Sequence, residues 1–269
     1  MTWKVGLFAL AISFLWSGNI VAIKFGLATI PPFWSAFWRM ASGALAVSAW
    51  AWARRKPLRI KRGQLRGFLL LAAMFSAQIA IFNLSVFYTS PAYAVILLNT
   101  NPVLVNLLSH HFVKADRLSG RRLLGLGVAF GSICYVMLGQ PDASLAPDPR
   151  LGNPLMLVSS FLLALRIVYT QRMVRRAGPY RPVVWQMALS LPVFLALALA
   201  FEQPLLQPLS YEPVLAILYQ GLVVAGFCFV SWTALLRFYS AGNLAMYTFS
   251  VPIFGIFIWA GLFDEQVTG

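Results

Sequence analysis

The sequence predicts an all-α integral membrane protein, a helix bundle of two inverted five-helix repeats in which nine of ten spans are present. Composition, the placement of charges and an internal repeat predict this class. Hydrophobic residues make up 60% of the 269 residues and charged residues only 10%, whereas soluble domains have roughly 25% charged residues. Repeated apolar runs are also long enough to cross a bilayer core, so a soluble globular fold is disfavoured.

Bases and acids are sorted between alternate connections. One set contains a single acid, Asp116, among these bases: Lys4, Arg54, Arg55, Lys56, Arg59, Lys61, Arg62, Arg66, Lys114, Arg117, Arg121, Arg122, Arg172, Arg175, Arg176, Arg181 and Arg237. The other set contains a single base, Arg150, among these acids: Asp142, Asp148, Glu202, Glu212, Asp264 and Glu265. By the positive-inside rule, the pattern predicts a multi-pass protein of the bacterial inner membrane with a cytoplasmic N-terminus.

A net charge of +14 would ordinarily suggest a nucleic-acid partner. Here the bases lie in short loops beside spans, where anionic headgroups explain them. We therefore expect the lipid bilayer and a small molecule as partners, no nucleic acid, and a monomer or weak dimer. Cys134 and Cys228 fall inside apolar runs, where a thiol acts as a small hydrophobe. Neither a disulfide, a metal site nor a cofactor is expected.

Nine apolar stretches form the predicted spans: residues 5–27, 33–53, 67–87, 92–112, 123–138, 154–171, 183–201, 214–235 and 244–262. The first run is too long for a signal peptide and is interrupted by Ser17, Gly18 and Asn19, so we interpret it as a retained span. Links such as 28–32 and 88–91 are very short. Sequential helices are therefore expected to be antiparallel neighbours.

An internal repeat appears when the chain is shifted by 147 positions. The shift superimposes Ile20-Val21 on Ile167-Val168 and Trp38-Arg39-Met40-Ala41 on Trp185-Gln186-Met187-Ala188. Small changes of offset match Pro102 with Pro252 and Leu118-Ser119-Gly120 with Val267-Thr268-Gly269. The repeats are predicted at 1–140 and 150–269, and a tenth span is expected after Gly269. Because five spans is an odd number, the second repeat enters from the opposite side, which favours a substrate site between the halves.

Several short motifs resemble those of one transporter family. They are Trp16-Ser17-Gly18-Asn19 with Lys24, Pro31-Pro32, Arg39, Pro102, and Glu265 before Val267-Thr268-Gly269. With them the chain resembles the EamA family of the drug/metabolite transporter superfamily over essentially its whole length. The resemblance implies two inverted five-span repeats and export of amino acids or other metabolites. Length and aromatic content most resemble the YddG-type exporters of aromatic amino acids.

Polar groups inside the spans are candidates for a site, because each is costly in hydrocarbon. Pro102 interrupts span 4 and Pro252 is its repeat mate, so both are predicted hinges. The predicted substrate contacts are the deep polar and aromatic residues Trp16, Asn19, Gln78, Phe82, Asn83, Asn99, Asn101, Tyr247 and Ser250. An alternative stays open for the span-4 asparagines, which would then join helices without touching substrate.

Lys24, Arg39 and Arg166 are the formal charges within the predicted spans. The preferred interpretation is that they snorkel to an interface or cap backbone carbonyls, and the alternative is an electropositive vestibule. No Asp or Glu accompanies them in the spans. This disfavours antiport of cationic drugs through a carboxylate and favours a zwitterionic or anionic substrate.

The leading hypothesis is a secondary transporter that exports amino acids, with aromatic ones favoured, by alternating access. Its alternatives are a carrier of phosphorylated or nucleotide-linked sugars and a broad-specificity drug exporter. An intramembrane enzyme is disfavoured, because no acid or thiol stands near His110 and His111 in a metal-binding or nucleophile arrangement. Both uniport and proton coupling stay open.

Overall fold

The computed structural model describes residues 2–27, 29–113, 119–138, 146–203 and 211–255. Within them the helices are α1 (Trp3–Leu27), α2 (Pro32–Ala53), α3 (Leu65–Tyr88), α4 (Pro91–Leu98), α5 (Asn101–Phe112), α6 (Gly120–Leu138), α7 (Pro149–Ala177), α8 (Tyr180–Phe201), α9 (Tyr211–Leu218), α10 (Phe229–Phe238) and α11 (Ala241–Ala245). A π-helical segment, Tyr219–Cys228, joins α9 to α10, and a 3₁₀ turn, Met246–Phe249, follows α11. The predicted all-α membrane bundle is confirmed.

Some sequence predictions lie outside the described residues. They concern Asp116, Asp142, the side chains of Lys24 and Cys134, the end of the ninth span, and the segment from Asp264 to Gly269. Four of the described helical stretches are long and apolar enough to cross a membrane by length and composition. These are Leu65–Tyr88, Pro149–Ala177, Tyr180–Phe201 and Tyr211–Phe238.

Local sequence signals explain where several helices begin and end. Pro32 and Pro149 occupy first-turn positions, where the missing N–H costs nothing. Asp148 caps α7 by accepting hydrogen bonds from the backbone N–H groups of Arg150 and Leu151. Gly178 ends α7 with a φ of 71°, in the region that favours glycine. These signals set the length of the connections between neighbouring helices.

The fourth and ninth predicted spans are interrupted at equivalent places. Asn99 and Thr100 separate α4 from α5, just before Pro102, whose nitrogen has no hydrogen to donate to the Leu98 carbonyl. The hydroxyl of Ser160 on α7 lies 3.5 Å from that carbonyl. In the second repeat the 3₁₀ turn Met246–Phe249 precedes Pro252. The two prolines therefore accompany breaks, and their role as hinges stays a prediction.

Packing between the two repeats is reciprocal. Helix α2 packs against α8, its counterpart in the other repeat. Helix α7 packs against α3, while α1 packs against the stretch from α9 to α10. The first helix of each repeat thus contacts the third span of the other. This is the arrangement expected for two related units that share a two-fold axis.

The connections gather at two opposite ends of the bundle. At one end, Trp185 donates from Nε1 to the Leu58 carbonyl at 2.7 Å. At the other end, the Asp148 N–H donates to the Tyr88 carbonyl at 3.1 Å, and Glu202 contacts the start of α2. These hydrogen bonds at the two ends agree with the alternation of connections that the charge pattern predicts.

Candidate substrate cavity

A cavity of about 180 Å³ lies between the two repeats. It is bordered by α1, α2 and α3 of the first repeat and by α7, α8 and the π-helical segment of the second. Its polar lining consists of Asn19, Arg39, Gln78, Asn99, Asn101, Arg166, Thr170, Gln186, Gln220, Thr233 and Thr248. A polar cavity at the junction of two repeats is a suitable place for a small ligand.

The structure brings six of the nine predicted contact residues to this cavity: Trp16, Asn19, Gln78, Phe82, Asn99 and Asn101. The other three lie behind it. Asn83 faces α2, where its Nδ2 donates to the Pro32 carbonyl at 3.0 Å. Tyr247 packs against Gly6 of α1, and the Ser250 hydroxyl donates to the Tyr247 carbonyl at 2.7 Å. Tyr247 and Ser250 therefore shape the break near Pro252 and do not line the cavity.

Arg39 is held at the junction of three helical stretches and is only 3% exposed. Its Nη1 donates to Oε1 of Gln220, and its Nη2 donates to Oδ1 of Asn83, both at 3.3 Å. Close packing permits this, because a Cβ on Gly221 would lie 3.0 Å from the Arg39 carbonyl oxygen. The missing side chain at Gly221 lets the π-helical segment approach α2 and brings Gln220 within reach of Arg39.

Arg166 is the second buried cation of the cavity, with 9% of its surface exposed. Its Nη1 donates to Oε1 of Gln186 at 3.2 Å. Its guanidinium carbon lies 5.0 Å from the Phe75 ring centre and 5.7 Å from that of Phe229, within range of cation–π attraction. In the described part of the chain, its Nε has no hydrogen-bond partner. The guanidinium is thus held in place, while its buried Nε keeps an unused donor.

The snorkelling interpretation is wrong for Arg39 and Arg166. Both guanidiniums are buried, and both line the cavity. Their hydrogen bonds go to amide oxygens, and no Asp or Glu is among the described cavity-lining residues. Buried charges are costly unless they are paired. The cavity is therefore electropositive and suited to an anionic group.

Other buried polar atoms at the cavity also lack partners among the described residues. Trp232 Nε1 and Gln220 Nε2 are donors, whereas Asn19 Oδ1 and Gln78 Oε1 are acceptors. Such unsatisfied groups are uncommon in folded proteins and call for water or a ligand. The rings of Trp16 and Trp232 have centres 4.8 Å apart and form an aromatic wall beside these atoms. The cavity thus offers donors, acceptors and flat apolar surface together.

Of the fourth-span asparagines at the cavity, Asn101 joins α5 to α7, whereas Asn99 bonds within its own span. Asn99 donates from Nδ2 to the Val95 carbonyl at 2.8 Å, and Asn101 donates to the Ser160 carbonyl at 3.1 Å. Both also line the cavity. Asn106 differs, since it donates to the Pro102 and Gly242 carbonyls and is not among the lining residues. It joins α5 to α11.

Comparison with known proteins identifies the family of this chain. A model of the EamA-like transporter family matches residues 3–138 and again residues 150–269. The chain belongs to the EamA-like transporter family. It is accordingly a multi-pass membrane transporter of small molecules.

Several relatives of this EamA-like transporter match it over most of their own length. The uncharacterized transporter YoaV of Bacillus subtilis is 22% identical over 98% of this chain and 90% of its own. A probable amino-acid metabolite efflux pump of Escherichia coli is 25% identical over 100% of this chain and 90% of its own. A solved crystal structure has a TM-score of 0.80 at 18% identity, covering 100% of this chain and 91% of that one. At that identity the likeness concerns the fold alone.

Seven polar residues that line the cavity of this EamA-like transporter were not among the predicted contacts: Arg39, Arg166, Thr170, Gln186, Gln220, Thr233 and Thr248. A signal for three of them was present. The 147-residue shift aligns Arg39 with Gln186 and Asn19 with Arg166. Both members of each aligned pair line the cavity between the repeats, so a polar residue at one position points to its mate.

Proposed function

We propose that this EamA-like transporter exports amino acids, with a preference for aromatic ones, by alternating access of its two repeats. The observation that carries the proposal is the pair of buried arginines, Arg39 and Arg166, beside an aromatic wall and without a carboxylate among the described lining residues. The relative named a probable amino-acid metabolite efflux pump supports the same substrate class.

Arg166 is the expected partner of the substrate carboxylate. Its Nη1 is engaged with Gln186, while its Nε is buried without a partner in the described chain. Two parallel N–H groups on one guanidinium edge match the two oxygens of a carboxylate. The rings of Phe75 and Phe229 hold the guanidinium plane, so little ordering is needed when the substrate binds.

The remaining groups of an aromatic amino acid also have complementary partners. Asn19 Oδ1 and Gln78 Oε1 are unpartnered acceptors that suit an ammonium group. The rings of Trp16, Trp232 and Phe82 line the same cavity and suit an aromatic side chain through offset or edge contacts. Threonine would leave this apolar surface uncovered, so we expect weaker binding of threonine.

A second candidate is export of an anionic metabolite that lacks an ammonium group, such as an aromatic carboxylic acid or a sugar phosphate. The observation that favours it is again the two arginines without a described acid at the cavity. An ammonium adds a third positive charge to this region, and like charges repel more strongly away from bulk water. An anion without that group avoids the repulsion.

We further propose that the protein lies in a bacterial inner membrane with its N-terminus in the cytoplasm. The excess of Lys and Arg in alternate connections supports this orientation. It places the end where Leu58 meets Trp185 in the cytoplasm. The end where Tyr88 meets Asp148 then faces outward.

Counterflow into liposomes tests the substrate class. Purified protein is reconstituted, and exchange of labelled phenylalanine, tryptophan, threonine and glucose 6-phosphate is measured with and without a pH gradient. Saturable exchange of the two aromatic amino acids is expected to exceed that of threonine. Exchange of glucose 6-phosphate alone would favour the second candidate. Folded protein that exchanges none of the amino acids would overturn the proposed export of amino acids.

A further inference from the structure

Each repeat carries one arginine and one amide at equivalent positions of its first two helices. The 147-residue shift places Asn19 of α1 on Arg166 of α7, and Arg39 of α2 on Gln186 of α8. The order of cation and amide is reversed between the repeats. All four side chains line the same cavity. The molecule thus holds two related cation–amide pairs, Asn19 with Arg39 and Arg166 with Gln186.

The two pairs are in different states in this structure. In the second repeat the pair is closed, because Arg166 Nη1 donates to Gln186 Oε1 at 3.2 Å. In the first repeat the pair is open. Asn19 Oδ1 is buried without a partner among the described residues, and Arg39 donates to Gln220 and Asn83. The repeats therefore differ in hydrogen bonding at positions that the sequence makes equivalent.

The helices that carry the pairs occupy equivalent places in the bundle. Helix α2 packs against α8, and each first helix packs against the third span of the opposite repeat. The difference between the pairs is thus a local asymmetry between two similarly packed units. In carriers built from inverted repeats, alternating access moves one unit against the other around the site. Because the two units here are related, the opposite-facing conformation is expected to exchange their local arrangements. An exchange here would close the first pair and open the second.

We propose that Asn19 and Gln186 are equivalent positioning residues that hold Arg39 and Arg166 alternately during the transport cycle. In the opposite-facing conformation Arg39 donates to Asn19, and Arg166 releases Gln186. The inference rests on the proposed transport by alternating access.

The exchange has a physical advantage. A buried guanidinium without a partner is costly, and here each conformation supplies one arginine with the amide of its own repeat. Since a hydrogen bond is lost in one repeat as an equivalent one forms in the other, the two conformations stay close in free energy. A carrier needs this balance, because a deep minimum on one side would stop the cycle.

The test compares two truncations that are expected to act in opposite directions. Gln186→Ala removes the closed pair of this structure, so the conformation shown here should lose population. Asn19→Ala removes the pair that forms only in the opposite conformation, so the conformation shown here should gain population. The ratio of the two populations should change by about tenfold in each case, the size expected for a charge-assisted hydrogen bond.

Distances between spin labels report these populations by pulsed electron resonance on the full chain in lipid nanodiscs. Both native cysteines are replaced by alanine, and exposed positions at the two ends are labelled: Lys61 with Arg176, and Thr29 with Arg150. Gln171→Ala is the matched control, because Gln171 is a buried amide of α7 that donates to the Tyr239 carbonyl and does not line the cavity. It should leave the distances unchanged.

A second pair of variants keeps the test decisive if a truncation prevents folding. Gln186→Glu adds a charge to the closed pair and should enrich the conformation shown here. Asn19→Asp should enrich the opposite one. Shifts in the same direction, or unchanged distances in folded protein, would overturn the proposed exchange.

The distances are measured without substrate, which separates this inference from the substrate assignment. Opposed shifts in a protein that exchanges no amino acid would support the alternating pairs and overturn amino-acid export. If the protein exchanges amino acids but the two variants shift the distances in the same direction or not at all, the proposed alternation of the pairs is overturned and the proposed function stands.

Discussion

Arg166 and Gln186 are joined by a hydrogen bond of 3.2 Å that links the first two helices of the second repeat inside the cavity. The bond orients a guanidinium whose Nε has no partner in the described chain. The cavity between the two repeats thereby holds a fixed positive group, which the carboxylate of the proposed substrate would meet.

Substituting Arg166 by glutamine should weaken substrate binding. The variant loses the charge and one planar pair of donors, so the half-saturation concentration for phenylalanine should rise by about 10- to 100-fold, the value of a charged hydrogen bond. Arg175→Gln is the control, because Arg175 lies on the same helix and is exposed. Counterflow at varied phenylalanine concentration measures both. Equal half-saturation in the two variants would contradict a role for Arg166 in binding.

Substituting Gly221 by alanine should separate the π-helical segment from α2. The added Cβ would clash with the Ser42 hydroxyl and lie 3.0 Å from the Arg39 carbonyl oxygen. Overpacking of this kind typically costs about 1–3 kcal/mol, so the melting temperature should fall. Gly127→Ala meets no heavy atom within 4 Å of the described chain and should not lower it. Thermal unfolding in detergent compares the two, and an equal change in both would contradict tight packing at Gly221.

Glu202 should make the stability of the protein depend on pH in the acid range. Its carboxylate accepts hydrogen bonds from the N–H groups of Phe33 and Trp34 at 2.7 and 2.9 Å. Burial raises the pKa of Glu202 above its ordinary value of 4.5, although these two bonds act to lower it. The folded state therefore favours protonated Glu202. The stabilisation that comes from this preference is present below pH 4.5 and is lost as pH rises through the raised pKa.

The Glu202→Gln variant checks that direction, because glutamine does not titrate. The melting temperature of the native chain, relative to that of the variant, should fall between pH 4 and pH 7. A rise in this relative melting temperature between pH 4 and pH 7 would mean that the two backbone hydrogen bonds change the pKa of Glu202 more than burial does.

Pro102 should speed the conformational change without contacting substrate. Pro102→Ala restores a backbone N–H at the break between α4 and α5 and should stiffen the fourth span. We expect the exchange rate to fall by about tenfold at unchanged half-saturation, since motion of an element often limits turnover. Pro192→Ala is the control, because Pro192 lies inside the continuous helix α8. Loss of affinity with an unchanged rate would contradict the hinge.

Much of the fold follows from local signals in the sequence. Long apolar runs and short links predict the helices, and Pro102 and Pro252 predict the places where two spans break. The π-helical segment Tyr219–Cys228 was not predicted, because its wide turn depends on packing against α2. The hydrophobic runs of the sequence do not indicate that contact.

The site was predicted only in part. Depth in the span identified Asn19, Gln78 and Asn99 as cavity residues. Depth gave the wrong prediction for Arg39 and Arg166, because an isolated basic residue near the end of a span is typical of a side chain that snorkels to the interface. Their amide partners Gln220 and Gln186 lie 181 and 20 residues away in the chain. Only the folded structure shows that these amides hold the two guanidiniums at the buried cavity.

We propose that the cavity recognises the carboxylate of an aromatic amino acid through its arginines. A competition assay tests this recognition, with unlabelled phenylalanine, phenylalaninamide and N-acetylphenylalanine each added to counterflow of labelled phenylalanine. Phenylalanine should compete, whereas phenylalaninamide, which lacks the carboxylate, should not. Stronger competition by N-acetylphenylalanine would indicate that an anion without ammonium is the preferred substrate. Equal competition by phenylalanine and phenylalaninamide would contradict recognition of the carboxylate.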